Sequence, residues 1–453
     1  MPVLTSPLMP TTRRLARAAV LALFASPLAA QAPSGVQHAF APFVDATAWP
    51  LPDLPALSAA SGARAFVLGF VVNDGQTAAR PCTPKWGGFD PYVATAAQAS
   101  ASGQPLHLAG AIAALRAAGG RVMISFGGAA GTPIDATCPS PEALANAYAE
   151  TVDAYGVTDL DLDIEGAWVV DGPSRARRVA GLVRLQQMRP GVRVWFTLPV
   201  LPTGLDANGV STLREAVAGG VALSGVNIMA MDYGASAAPD PSRLGDYAVE
   251  AATALHGQIV SAYAAAGRSV TADEAWSMVG ITPMIGVNDV ATEVFRLTHA
   301  RQVADFAALH HIGLVSMWSV NRDLPCPGGP SPWAQTACSS IAQSPYAFSA
   351  VFARGGATAG DGDAAASGAR LFAPTPNPTS QGGHVSFALG APAAVRLSLV
   401  DALGRRVAVL ADGPTAAGMH RVTLPLAGLP AGVYVLRLDG AGPPLAQRLV
   451  VAR

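Results

Sequence analysis

The chain has 453 residues, of which 13% are charged and 51% apolar, so it is no disordered polyelectrolyte and it holds enough apolar material for a large core. Lysine plus arginine number 29 against 30 aspartates and glutamates, a net charge of -1, which excludes a chain built to grip a nucleic-acid backbone or an anionic membrane surface. At roughly 150 residues per domain three domains are possible, but one barrel of about 250 residues plus a small module fits the length equally well.

The first element in chain order is a run of Arg13, Arg14 and Arg17 ahead of an apolar stretch from Ala18 to Phe24 and small residues at Ala29 and Ala30. That pattern reads as a secretory signal peptide over 1–30. No later stretch has about 18 uninterrupted apolar residues, so no transmembrane segment is expected in the mature chain. Export places the four cysteines in an oxidising compartment, where an even number favours pairing. Cys326 and Cys338 are close in sequence and are expected to bridge, which leaves Cys82 with Cys138; free buried thiols are the alternative. No C-x-x-C spacing is present and the histidines are scattered, so neither a metal nor a cofactor is expected.

From 31 to 354 eight short apolar, β-prone runs follow: Phe40 to Asp45, Ala65 to Val72, Arg121 to Phe126, Asp159 to Glu165, Val194 to Val200, Val226 to Met231, Met278 to Met284 and Gly313 to Trp318. The segments between several of them carry helix-like Ala/Leu spacing, as in Pro141 to Tyr155, Ser174 to Gln187, Tyr247 to Ala265 and Ala300 to His310. Near-continuous apolar strands alternating with helices predict an α/β fold, a (β/α)8 TIM barrel in preference to an open doubly wound sheet. A Gly-rich run without apolar periodicity, 355–370, reads as a flexible linker. All seven tryptophans, Trp49 to Trp333, precede it. Beyond it, 371–453 alternates strand-like runs with Gly/Pro turns, at Val385 to Leu389, Val395 to Val400, Arg405 to Leu410, His420 to Leu424, Gly432 to Leu438 and Gln447 to Val451, and predicts a small all-β sandwich.

The chemistry concentrates in Thr158-Asp159-Leu160-Asp161-Leu162-Asp163-Ile164-Glu165. Residues two apart share one face of a strand, so the four acids point one way and Leu160, Leu162 and Ile164 the other. If the apolar face packs under helices, the acids project into the barrel towards its C-terminal mouth. Crowding and desolvation then raise some of their pKa values, and a protonated Glu165 becomes a general acid near neutral pH. A solvated strand face and a divalent metal site are the bland alternatives.

This stripe resembles the D-x-x-D-x-D-x-E signature of glycoside hydrolase family 18, the chitinases, with Asp161, Asp163 and Glu165 on its last three acidic positions. Ser125-Phe126-Gly127-Gly128 is similar to the family's S-x-G-G, the segment from Asn227 through Met229 to Tyr233 to its sixth-strand motif, and Trp318 to the tryptophan that ends its eighth strand and floors the cleavage subsite. The resemblance implies that Glu165 protonates the glycosidic oxygen and later activates water. Asp163 would orient the substrate's own 2-acetamido group as nucleophile, Asp161 would share the proton of Asp163, and Asp232 with Tyr233 would hold the acetamido group, with overall retention. The substrate implied is chitin or its N-acetylglucosamine oligosaccharides. An endo-β-N-acetylglucosaminidase acting on glycans and a non-hydrolytic sugar-binding barrel are the alternatives.

Two departures stand out. Thr158 occupies the motif's first Asp, and Met231 stands where the family often has Tyr, with Tyr233 following Asp232 instead of preceding it. Further substrate-binding candidates are Trp86, expected on a loop at the mouth, and Trp168, with core packing as the equal alternative for both, Asn288, with an Asx turn as its equal alternative, Ser125 and Met229; Trp49, Trp195 and Trp276 read as structural.

In the tail, Pro376-Asn377-Pro378-Thr379, Asp401-Ala402-Leu403-Gly404-Arg405 and Gly432-Val433-Tyr434-Val435-Leu436 resemble the C-terminal sorting domain of the bacterial type IX secretion system. That resemblance implies outer-membrane secretion machinery as a partner, and a secreted or cell-surface protein. A carbohydrate-binding module is the rival reading.

Overall fold

The computed structural model describes residues 39–48, 51–73, 81–89, 108–354 and, with short gaps, 369–452. The expected signal peptide at 1–30, Trp49 and nearly all of the linker lie outside the described residues.

The first half of the chain runs β1 (Ala39–Phe40), β2 (Phe43–Asp45), α1 (Leu54–Ser61), β3 (Ala65–Asn73), β4 (Pro84–Trp86), α2 (Ala109–Ala117), β5 (Arg121–Gly127), α3 (Ile134–Thr137), α4 (Pro141–Tyr155) and β6 (Asp159–Asp163). It continues through α5 (Gly172–Met188), β7 (Arg193–Pro199), α6 (Ala207–Ala218), β8 (Leu223–Ala230), α7 (Leu244–Ala265), α8 (Ala272–Ser277) and β9 (Val279–Pro283). A hairpin of β10 (Gly286–Val287) and β11 (Val294–Phe295), then α9 (Leu297–His310), β12 (Leu314–Val315) and α10 (Ala347–Arg354), complete this part.

Hydrogen-bonded neighbours follow the order β1-β12-β9-β8-β7-β6-β5-β3-β2, and every pair on that path is parallel. Its two ends, β1 and β2, are pieces of one extended segment. Ala41 N in that segment donates to Val315 O at 2.9 Å on one side, and Val67 N donates to Pro42 O at 3.0 Å on the other. The result is an α/β fold with a curled parallel sheet, on which near-continuous apolar strands are covered by amphipathic helices.

Local chemistry sets the helix limits. Ser140 caps α4 by accepting from Ala143 N, a proline occupies its first turn, and Gly156 at φ +60° ends it; these are the bounds the sequence predicts. Helix α5 starts two residues before its expected Ser174, because the Asp171 side chain accepts from Ser174 N at 2.8 Å and Pro173 suits the first turn.

The N-terminal end of the sheet is plugged by Trp195, which packs with Phe43, Val67 and Leu314. Gly225 and Gly313 make room for its indole, since a Cβ at either would lie 2.3 Å and 2.9 Å from the ring. Trp276 is also structural, stacked between His256 and His310 at 4.1 and 4.2 Å. Both expected disulfides are formed, Cys82 with Cys138 and Cys326 with Cys338.

The C-terminal part comprises β13 (Arg370–Leu371), β14 (Gly383–Leu389), β15 (Ala393–Asp401), β16 (Arg406–Thr415), β17 (Gly418–Leu424), β18 (Gly432–Asp439) and β19 (Leu445–Val451). They form two antiparallel sheets, β13-β14-β17 and β16-β15-β18-β19. Alternating residues of both sheets, among them Val385, Phe387, Leu397, Leu399, Leu436 and Leu449, share one apolar cluster. No helix among the described residues is long and apolar enough to cross a membrane.

Candidate active site

All five residues of β6 are buried, so its acids do not form a solvated face. They differ in what surrounds them. Asp159, at the N-terminal end, pairs with Arg193 at 2.6 Å and Arg121 at 3.5 Å from the flanking strands, and takes no part in the cleft.

Asp161 sits one step along, between β5 and β7. Ser125 Oγ donates to its Oδ2 and Thr197 Oγ1 to its Oδ1, both at 2.6 Å. The chain of donors continues across the sheet: Asn227 Nδ2 donates to Thr197 Oγ1 at 3.0 Å, and Thr282 Oγ1 donates to Asn227 Oδ1 at 2.8 Å. Burial pushes the Asp161 carboxyl up to about 7 against these hydrogen bonds. The Asp163 carboxyl is pushed well above the usual carboxylate range, by burial first and then by the charges of Glu165 and Asp161. Its Oδ1 is buried with no hydrogen-bond partner among the described residues. Two carboxylates this close in a dry interior keep a proton that either alone would have lost.

Glu165 follows the strand and is only partly buried. Burial, and then the nearby charge of Asp232, raise its pKa above the usual carboxylate range, the condition for a general acid. The Ser125-Phe126-Gly127-Gly128 segment owes its two glycines to this neighbourhood. Gly127 has φ +107°, and a Cβ there would lie 2.0 Å from Asp163 O; one on Gly128 would lie 2.7 Å from the Phe70 ring. Only glycine lets β5 pass this close to the acid-bearing strand.

Asp163 and Glu165 open onto a cleft of about 480 Å³ at the C-terminal ends of the strands, with Met229, Met231, Asp232 and Trp318 on its walls. Trp318 stacks on Phe70 at 5.6 Å, which fixes its ring in the cleft wall. A larger groove of about 760 Å³ lies between α4, α5 and α6. Its carboxylates Glu142 and Glu215 are already paired with Arg184 and Arg175, so it offers no acid–base machinery.

Several expected site residues lie elsewhere. Trp86 is not on a mouth loop: it sits on β4, antiparallel to β3, is 2% exposed, and its indole Nε1 donates to Tyr155 Oη at 2.9 Å. Trp168 borders a small internal cavity with Tyr148 and Arg178 and does not line the cleft. Ser125 is fully buried and bonds Asp161, so it supports the acid and does not touch a ligand. Asn288 is buried too, its amide donating to Met284 O and Gly286 O within its own turn. Tyr233 borders the cleft, but its hydroxyl is buried without a partner among the described residues and its ring packs edge-on against Tyr247 of α7, 6.2 Å away. It therefore cannot offer that hydroxyl to an acetamido group. Asp232 does face the cleft, with its Oδ1 accepting from Val290 N at 2.7 Å.

Sequence reasoning missed Thr197, Thr282, Glu293 and Arg322, which complete the polar framework. Thr197 and Thr282 stand inward on predicted strands, and that parity was the available signal. Among the described residues no group of three or more His, Cys, Asp or Glu is placed to hold a metal ion.

Buried, proton-sharing acids behind a partly exposed carboxyl group, at the mouth of a curled parallel α/β sheet, define a site of the acid–base hydrolase class. No protein-family model matches the chain. It is 39% identical over 330 residues to the "probable bifunctional chitinase/lysozyme" of Escherichia coli K12, covering 70% of this chain and 34% of that protein. It is 38% identical over 298 residues to endochitinase 11 of Metarhizium anisopliae, covering 64% of this chain and 53% of that protein. The chain thus spans about a third and about half the length of these curated relatives. The catalytic domain of the hyperthermophilic chitinase from Pyrococcus furiosus superimposes with a TM-score of 0.61 at 31% identity, covering 70% of this chain and 95% of that domain. This chain belongs to the chitinases, among the glycoside hydrolases.

Proposed function

We propose that the chain is an exported chitinase that hydrolyses β-1,4 bonds between N-acetylglucosamine units with retention of configuration, the substrate's 2-acetamido group acting as nucleophile. The observation that carries this reading is the pairing of two unlike acids at the C-terminal end of one strand. Glu165 is partly exposed, with a raised pKa, and Asp163, two residues before it, is buried and has an unpartnered Oδ1. Glu165 is suited to protonate the glycosidic oxygen and then to take a proton from water. Asp163, sharing a proton with Asp161, is suited to hold the acetamido N–H while its carbonyl oxygen attacks the anomeric carbon. Asp161 is held by Ser125 and Thr197 and backs Asp163. Trp318 supplies an aromatic floor for the sugar in this reading, and the sheet is read as a closed (β/α)8 barrel because β1 and β2 join its two ends.

The test is hydrolysis of a defined N-acetylglucosamine oligosaccharide by the full chain beside its Glu165→Gln variant. Turnover with retained anomeric configuration, lost by about 100-fold or more in the variant, supports the reading. A folded wild-type chain that binds the sugar without cutting it overturns it in favour of a sugar-binding barrel, and cleavage of glycans in preference to chitin oligosaccharides favours the endo-β-N-acetylglucosaminidase.

The domain division is proposed as 1–30 signal peptide, 31–354 catalytic barrel, 355–370 linker and 371–453 sorting β-sandwich, with secretion or cell-surface attachment as the destination. Support for the last comes from the three motif-like segments. Asn377 is tied to the final strand, its Nδ2 donating to Arg448 O at 2.8 Å and its Oδ1 accepting from Val450 N at 2.7 Å, and Tyr434 Oη donates to Pro430 O at 2.9 Å. Deleting 371–453 and following the enzyme's appearance outside the cell tests it.

A further inference from the structure

We propose that Glu293, on the β10–β11 hairpin, is a positioning residue that holds the Asp232 carboxylate against Glu165; this rests on the chitinase reading of the cleft. Two neighbouring loops clamp each other with carboxylates. Glu293 Oε1 accepts from Gly234 N at 2.7 Å and its Oε2 from Tyr233 N at 3.2 Å, so it caps the turn that carries Asp232. In return, Asp232 Oδ1 accepts from Val290 N at 2.7 Å on the hairpin. Asp232 itself is at φ +52°, a left-handed state that its L side chain disfavours and that the clamp holds in place.

The hairpin is anchored independently of Asp232. Glu293 N donates to Val290 O at 2.7 Å, and Asn288 N to Glu293 O at 3.0 Å. Arg322 Nη2 donates to Ile285 O and Val287 O at 3.0 and 2.6 Å from the far side. The anchored element therefore sets where Asp232 points. Glu293 is 2% exposed, so removing its carboxylate leaves one buried and one half-buried N–H group unsatisfied and frees the turn. The charged groups bearing on Asp232 are Asp289, Arg322, Glu293 and Glu165; those bearing on Glu165 are Asp232 and Asp163. Asp232 raises the pKa of Glu165, so a displaced Asp232 lets it fall.

The experiment uses the full chain labelled with 13C at glutamate carboxyl carbons, the Glu165 signal being assigned by its loss in Glu165→Gln. Glu293→Gln retains one acceptor oxygen, for Gly234 N, and Glu293→Ala retains none. The Glu165 titration midpoint is expected to move to lower pH in both, further in Ala, and kcat on an N-acetylglucosamine oligosaccharide to fall about tenfold in Glu293→Gln. In an Asp232→Asn background, Glu293→Gln should move the midpoint no further, because the effect travels through Asp232. An unchanged midpoint in folded Glu293→Gln, or an equal shift with Asp232 already neutralised, overturns the proposal. If the wild-type chain cuts no such sugar, the chitinase reading fails while the titration still decides the role of Glu293.

Discussion

Ser125 Oγ on β5 lies 2.6 Å from Asp161 Oδ2 on β6, so a strand that carries no acid supplies a donor to one that does. The hydrogen bond favours the carboxylate, yet burial outweighs it and the pKa rises to about 7. The sign follows directly. A folded pKa above the unfolded value means that the native state binds more protons, so this group's penalty is absent below about pH 4 and grows as pH rises towards 7. Asp161→Asn is therefore expected to be as stable as the wild type at pH 4 and more stable at pH 8, by about 4 kcal/mol. Urea unfolding at both pH values checks this; a variant less stable at pH 8 contradicts it.

The alkaline limb of the kcat–pH profile reports the general acid in the substrate complex. Because burial and the Asp232 charge both raise Glu165, that limb should lie above the ordinary glutamate value of about 4.3. Asp232→Asn removes one of the two causes, and the limb should move to lower pH. A limb that stays in place or moves up separates Asp232 from the acid.

Tyr233 gives a sharp contrast with Asp232 beside it. Its hydroxyl is buried and without a partner among the described residues, so Tyr233→Phe removes a group that contributes no hydrogen bond. Activity is expected to stay within about threefold of wild type, and stability to be unchanged or higher. A tenfold rise in KM would instead place the hydroxyl on the substrate.

The two disulfides should differ in weight. Cys82–Cys138 spans 56 residues and Cys326–Cys338 spans 12, so by loop entropy the first restrains the unfolded chain more, about 4 against 3 kcal/mol. Removing each pair with serines and comparing urea midpoints tests the order.

The strands and the acid stripe were legible because both are matters of short-range periodicity. Runs such as Arg121 to Phe126 and Val194 to Val200 fall on β5 and β7 within a residue or two of each end. For Trp86 core packing, the alternative to a sugar contact, holds, and only the loop placement fails: Pro84, Gly87 and Gly88 look like a loop, whereas the segment folds back onto β3 and buries the indole against Tyr155. Glu293 carried no signal at all. Its partners Tyr233 and Gly234 are 60 and 59 residues away, and nothing local distinguishes it from a surface glutamate.

The sequence by itself determined which residues alternate on β6, and therefore that Asp161, Asp163 and Glu165 share a face, because a strand's two-residue repeat is a property of the backbone. It also determined the glycine pair after Phe126. Only the tertiary structure decided which acids keep a proton, and that the Tyr233 hydroxyl turns away from the cleft. Those outcomes depend on desolvation and on donors brought within about 3 Å from other strands, distances that arise only when the sheet has curled and its neighbouring loops have met.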